Sequence, residues 1–308
     1  MMMTNKTDLI NVLTLKEALE EAEKKGYAIG SFSPRYTPMI RPVLRAGEKT
    51  KSPLIVQISQ KELERYGITP FEFAEEFYRA VEEESITVPV VLHLDHTKQI
   101  SVLEDAIEAG FTSVMIDASE HELAENISIS KKVVDYAHAK GVSVEAELGK
   151  IGTTDFVETD KDEELYTDPA EALQFVNETG CDALAVSCGT AHGVYLVRQP
   201  KVDLERLKAI RKLTPVHLVL HGGSGVPAEM IIAATKLPNG GVSKVNIATD
   251  LEISLLKSLG KEERMTNEEC KSLSNEQLEM AQKAVEATVI EKIQHFLGSS
   301  NQAENFQG

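Results

Sequence analysis

Eight short apolar runs rich in β-branched residues recur between Ala28 and Ala248, each separated from the next by a stretch of helical composition. They are Ala28–Ser33, Pro53–Ser59, Pro89–Asp95, Ser113–Ala118, Val142–Leu148, Ala183–Cys188, His217–His221 and Lys244–Ala248. Continuous Val and Ile, in place of strict alternation, marks strands buried on both faces, and strand–helix alternation builds a parallel sheet. Eight such units predict an α/β fold of the TIM (β/α)8 barrel type. Helix punctuation agrees: Asp168 and Pro169 suit N-cap and first-turn positions ahead of Ala170–Thr179, and Gly180, Gly110 and Gly141 suit helix ends. Two helices fall outside the eight units. Leu15–Lys25, ended by Gly26, is expected to plug the barrel bottom, and Asn275–Leu297 reads as a long C-terminal amphipathic helix. With no linker in sight, residues 1–298 are expected to form one domain, and 299–308 a disordered polar tail.

The chain carries 32 basic and 49 acidic residues, a net charge of −17, which repels nucleic acid and anionic membranes. A phosphorylated ligand must therefore meet a local site. Cys181, Cys188 and Cys270 are three in number and include no CxxC, so neither a disulfide framework nor a thiolate metal site is expected. No leader-like or membrane-spanning apolar run is found, and the expected location is a reducing cytoplasm.

A barrel presents its chemistry at the carboxyl ends of its strands. Those ends are polar here: Ser33, Ser59, Asp95-His96, Asp117, Glu145 and Glu147, Gly189 to His192, His221 to Ser224, and Asn246. His96, His192 and His221 come from three different strands, and three converging neutral imidazoles make a zinc site with an open fourth position. The other histidines do not share this register and are read as structural. Gly222-Gly223-Ser224, with Asn246 to Asp250, supplies small residues, hydroxyls and a helix start where a phosphate can rest. Asp95 is placed to move a proton, or else to orient a ligating imidazole. Glu147 is either a second metal position or a partner of a lysine such as Lys150. The stretch Gly149–Thr167 is long enough to be a lid or a solvated acidic excursion.

These motifs resemble the class II, zinc-dependent ketose-bisphosphate aldolases, which include fructose- and tagatose-bisphosphate aldolases. The likeness spans nearly the whole chain and is most specific in Pro89-Val-Val-Leu-His-Leu-Asp-His, Val144-Glu-Ala-Glu-Leu-Gly, Gly189-Thr-Ala-His-Gly, Leu220-His-Gly-Gly-Ser-Gly and Lys244-Val-Asn-Ile-Ala-Thr-Asp. The resemblance implies reversible cleavage of a ketose phosphate between C3 and C4 into dihydroxyacetone phosphate and an aldehyde. It implies Zn²⁺ on His96, His192 and His221, and proton transfer at the C4 hydroxyl by Asp95. Substrate and phosphate contacts fall to Ser59, Gly193, Gly222, Gly223, Ser224, Asn246 and Thr249, with a monovalent cation (Na⁺ or K⁺) nearby. The partner implied is a small sugar phosphate, in a homo-oligomer, dimer or tetramer.

Three departures bear on specificity. Ser33-Pro34-Arg35 replaces the family's usual Asn-Val after the strand-1 Phe, Asp155 is a shorter substitute for a loop glutamate, and Glu252 stands where relatives carry a distal-phosphate arginine or lysine. A carboxylate facing a phosphate repels it, so the expected substrate is a ketose phosphate other than fructose 1,6-bisphosphate, with Arg35 meeting another acidic group. Ordinary fructose- or tagatose-bisphosphate cleavage is the runner-up. A non-catalytic barrel serving as a partner subunit is the alternative from a different class.

Overall fold

The computed structural model describes residues 11–153, 165–193, 195 and 199–306. Its strands are β1 (Ile29–Phe32), β2 (Leu54–Ser59), β3 (Val90–Thr97), β4 (Ser113–Ile116), β5 (Ser143–Leu148), β6 (Gly152–Thr153), β7 (Ala183–Val186), β8 (Ala191–His192), β9 (His217–Leu220) and β10 (Val242–Ile247). Eight of them close a barrel in the order β1, β2, β3, β4, β5, β7, β9, β10. All neighbours are parallel, and β10 returns to β1 with Ile29 opposite Lys244. Among the described residues the two-residue strands β6 and β8 pair only with each other, Thr153 opposite His192.

The barrel floor is sealed by the helix Leu15–Lys25. Thr14 and Glu17 form its capping box, and Gly26, at φ 70°, ends it in the left-handed conformation that costs glycine nothing. Leu15, Ala18, Leu19 and Ala22 recur at helical spacing and pack with Ile29, Ile55, Val91, Met115 and Val219 from the strands above. Burying each leucine there stabilises the plug by about 2 kcal/mol. A second, larger apolar cluster lies between the barrel and its outer helices. Asn275–Lys292, continued by a π-turn at Ile293–Leu297, packs on the helices Ile40–Thr50 and Thr249–Ser258.

The segment expected to be a disordered tail is instead folded back through residue 306. Ser299 is buried against Ser52, with the hydroxyls 2.8 Å apart. The N–H groups of Asn301 and Ala303 donate to the carbonyls of Thr50 and Lys51, and Ala303–Phe306 makes a 3-10 turn. Polar composition did not reveal these backbone partners, which lie some 250 positions earlier in the chain. Among the described residues no helix is long and apolar enough to cross a membrane. The three cysteines are buried, and burial pushes each thiol up to about 12, away from the thiolate a metal would need.

Candidate active site

At the carboxyl end of the barrel lies a cleft of about 1000 Å³, lined from β2, β3, β5, β8 and β10 and the segments after β1, β2, β4, β9 and β10. His96, His192 and His221 converge in it. Their ring centroids lie 4.9 Å (His96–His192), 4.4 Å (His96–His221) and 5.9 Å (His192–His221) apart, and one nitrogen from each falls within 4.8 Å of the others. Local backbone aims them. β3 slips register against β4 between Leu94 and Thr97, and His96 sits there at φ 27°, a conformation an L-residue adopts only when its surroundings hold it. Pairing of β8 with β6 places His192.

Two of the three imidazoles have their free nitrogen assigned by the other one. His96 Nδ1 lies 3.0 Å from Asp117 Oδ2, and its Nε2 is buried with no hydrogen-bond partner. His221 Nε2 lies 2.8 Å from Glu145 Oε1, and its Nδ1 is likewise buried and unpartnered. Asp117 is itself braced by the Ser119 N–H and hydroxyl at 3.2 and 2.7 Å. Buried nitrogens without partners are costly, and a divalent cation with an open coordination position satisfies them. The donor set therefore fits a metal ion. Glu147 Oε2, also unpartnered, lies 3.4 Å from His221 Nδ1, and Glu147 with Asp117 and His96 makes a second set that could hold one. Among the described residues Glu147 makes no ion pair with Lys150.

The electrostatics favour a cation. Burial opposes charge on His96, but the carboxylates of Asp95, Asp117 and Glu147 outweigh it and raise the imidazole to about 10. Burial, reinforced by that charge, lowers His192 to about 4 and holds His221 far below the usual imidazole range. Burial beside Asp117 raises Glu147 to about 8. Burial also works against ionisation of Asp117, yet its hydrogen bond from His96 wins and keeps the carboxyl well below the ordinary range.

Asp95 lies near the carboxyl end of β3 and borders the cleft, 6 % exposed. It accepts from Asn246 Nδ2 at 3.1 Å and from Gln57 Nε2 at 3.3 Å. Asn246, expected at the phosphate, thus directs its amide to Asp95 and Lys244, although it also borders the cleft. Gly222 and Gly223 turn tightly above β9. A Cβ on Gly222, at φ 67°, would meet the Ala191 carbonyl oxygen at 2.4 Å, and one on Gly223 would meet Val245 at 2.6 Å. Ser224 Oγ accepts the Asp250 N–H at 3.3 Å, and the helix beginning at Thr249 opens towards the cleft, which Gly193, Gly222, Ser224 and Thr249 all border. Ser59 caps the helix Gln60–Tyr66 through the Glu62 N–H.

At the far wall Arg35 is no surface residue. It is 8 % exposed, its Nε donates to Glu62 at 3.0 Å, and its Nη1 pairs with Glu252. Glu252 also accepts from Arg264 Nε at 3.0 Å on both oxygens and from Tyr66 OH at 3.0 Å. The carboxylate expected to confront a phosphate is instead sheathed by two guanidinium groups. Ser33 Oγ donates to Glu62 at 2.8 Å. Lys61, Arg65, Lys98 and Lys150 join Arg35 and Arg264 in lining the cleft, so an acidic protein offers cations locally. Asp155 lies outside the described residues. His93, His121, His138 and His217 hold structural partners, Ser113, Glu125, Asp182 and Glu23.

Reading strand ends located Asp117, Glu145 and Gln57's neighbour Ser59 without giving Asp117, Glu145 or Gln57 a task. For Glu145 the signal was a carboxylate inside a strand buried on both faces. Arg264, on the segment after the last barrel helix, carried no signal at all.

A family model described as fructose-bisphosphate aldolase class-II matches residues 13–302. A fructose-bisphosphate aldolase of Geobacillus stearothermophilus is 39 % identical over 297 residues, covering 96 % of this chain and 99 % of the relative. A probable fructose-bisphosphate aldolase of Bacillus subtilis is 39 % identical over 295 residues, covering 95 % and 99 %. Among solved structures, the YdjI aldolase from Escherichia coli K12 matches with a TM-score of 0.79 at 32 % identity, over 95 % of this chain and 99 % of that one. A parallel eight-stranded barrel, an imidazole cluster at its rim and matches along nearly the full length lead to one conclusion: the chain belongs to the class II fructose-bisphosphate aldolase family of metal-dependent lyases.

Proposed function

We propose that this chain cleaves a ketose phosphate reversibly between C3 and C4, giving dihydroxyacetone phosphate and an aldehyde, with Zn²⁺ held by His96, His192 and His221. The observation that carries the reading is the pair of buried, unpartnered imidazole nitrogens, His96 Nε2 and His221 Nδ1, at one rim with Asp95. Bound there, the metal supplies Lewis-acid polarisation of the substrate carbonyl. Asp95 removes the proton of the C4 hydroxyl. Its two hydrogen bonds from amide donors orient it as an acceptor, and as C4–O becomes a carbonyl the C3–C4 electron pair passes to C3, conjugated with C2. Gly222, Gly223, Ser224, Thr249 and Gly193 take the phosphate of the three-carbon half through N–H groups and the helix start, with a monovalent cation, Na⁺ or K⁺, beside it. Ser59 borders that half, and Asp155 returns a proton to C3.

The aldehyde half meets Ser33, Arg35, Glu62 and Arg264, with Glu252 held behind the two arginines. Because Glu62 and Glu252 offset the two arginines, this wall suits a less highly charged terminus than a phosphate dianion, and we read the substrate as a ketose phosphate other than fructose 1,6-bisphosphate. Lys61 and Arg65 along the cleft favour a second reading, fructose- or tagatose-bisphosphate cleavage. A screen of ketose mono- and bisphosphates, reading dihydroxyacetone phosphate release with and without chelator, separates them. Release abolished by chelation and restored by Zn²⁺ is expected; full activity after exhaustive metal removal overturns the mechanism. Efficient turnover of fructose 1,6-bisphosphate overturns the substrate reading alone.

A further inference from the structure

Lys244 lies within β10 with no solvent exposure, inside the barrel beneath the site. A lysine is rarely tolerated there unless paired and hydrogen-bonded. Its Nζ is 2.8 Å from Glu145 Oε2 and donates to Asn246 Oδ1, also at 2.8 Å. Two arms leave that ammonium group. Through Glu145 the first reaches His221 Nε2, and through Asn246 the second reaches Asp95 Oδ1.

An ammonium group only donates and a carboxylate only accepts, so the direction of every bond along both arms is set from the centre. Asn246 must turn its oxygen to Lys244, which leaves its NH₂ for Asp95. Glu145 must accept from His221, which puts that proton on Nε2 and leaves Nδ1 as the lone pair. Nδ1 is the very nitrogen left buried and unpartnered beside His96 and His192.

We infer that Lys244 is a positioning residue that sets both halves of the site at once: the metal-facing tautomer of His221 through Glu145, and the orientation of Asp95 through Asn246. The roles at the two ends rest on the retro-aldol reading above, whereas the tautomer and the amide orientation do not. Full burial behind Asn246 and Glu145 keeps this lysine from reaching substrate.

The test has three arms. In metal-free wild-type protein, ¹⁵N NMR of the imidazoles should show His221 protonated on Nε2; protonation on Nδ1 overturns the inference whatever any variant does. Lys244→Met should weaken Zn²⁺ affinity, measured by competition with a chromophoric chelator, by about tenfold to a hundredfold, and lower turnover per bound metal comparably. Lys244→Met with Glu145→Gln removes the stranded charge and keeps an oxygen for His221. Its affinity should return to within about threefold of wild type while turnover per bound metal stays low, because Asn246 still lacks its anchor. Wild-type affinity and turnover in Lys244→Met, or joint recovery of both in the double variant, overturns the inference. Should Lys244→Met alone fail to fold, the double variant and the wild-type spectrum decide. A wild-type enzyme inert on every ketose phosphate would sink the proposed function and leave the spectrum and the affinities standing.

Discussion

Replacing Glu252 with glutamine deletes one buried charge while keeping the side chain's shape. The carboxylate is 6 % exposed and holds Arg35, Arg264 and Tyr66. Arg264 is half exposed, so its bond contributes no more than about 1 kcal/mol after solvent screening. Arg35 is buried and keeps Glu62, so losing its second charged partner costs about 2 kcal/mol. The sum is about 3 kcal/mol. With an unfolding entropy of about 2.1 cal/mol/K per residue, a chain of 308 residues should then melt about 5 °C lower. Differential scanning calorimetry at fixed metal and protein concentration measures the shift. Its pH dependence has a definite sign. Burial would raise the Glu252 carboxyl, but Arg35 and Arg264 lower it below the ordinary range. Its contribution is therefore complete above the unfolded glutamate value near about 4.3 and fades as pH falls through the lower folded value. The gap between wild type and Glu252→Gln should be widest at neutral pH and close in acid. A shift under about 1 °C at pH 7, or a gap that widens in acid, refutes the reasoning. Glu252→Arg should destabilise still more, because it crowds three guanidinium groups together.

Asp95→Asn should lower turnover by about a hundredfold or more with metal still bound, as removal of a positioned proton acceptor does. Loss of bound metal instead would make Asp95 a support for a ligand. Gly222→Ala forces a methyl group against the Ala191 carbonyl in a left-handed backbone, and KM for the ketose phosphate should rise about tenfold or more. An unchanged KM by initial-rate kinetics would remove that turn from phosphate binding.

The barrel was readable because a strand buried on both faces must be apolar, and each of the eight runs finds its strand within three residues at either end. The imidazole trio was readable because strand ends converge at one rim whatever the intervening loops do. Harder to see were contacts that only closure creates. Lys244 and Glu145 stand 99 positions apart, and nothing local to either says that one ammonium group serves the other. Glu252 looked like a repulsive group because Arg35 lies 217 positions away and Arg264, 12 positions on, sits beyond the end of its helix where no periodicity aims it. Strands β6 and β8 are two residues each, too short for any periodicity. In the C-terminal segment, backbone bonds to Thr50 and Lys51 outweigh a polar composition.

Barrel closure also dictates the order in which this protein can be made. β1 pairs with β2 on one side, but its other edge waits for β10, more than two hundred residues later. On a ribosome adding residues from the N-terminus, that edge stays open until β10 has emerged. Until then the Lys244 ammonium has no barrel interior to enter, and the carboxylate of Glu145 must remain hydrated. The segment after the long helix then clasps the two ends of the first barrel unit, with the Ala28 N–H donating to the Leu297 carbonyl and the Asn301 N–H to that of Thr50. Such a topology concentrates long-range contacts in the closing step, and closure entropy makes that step slow.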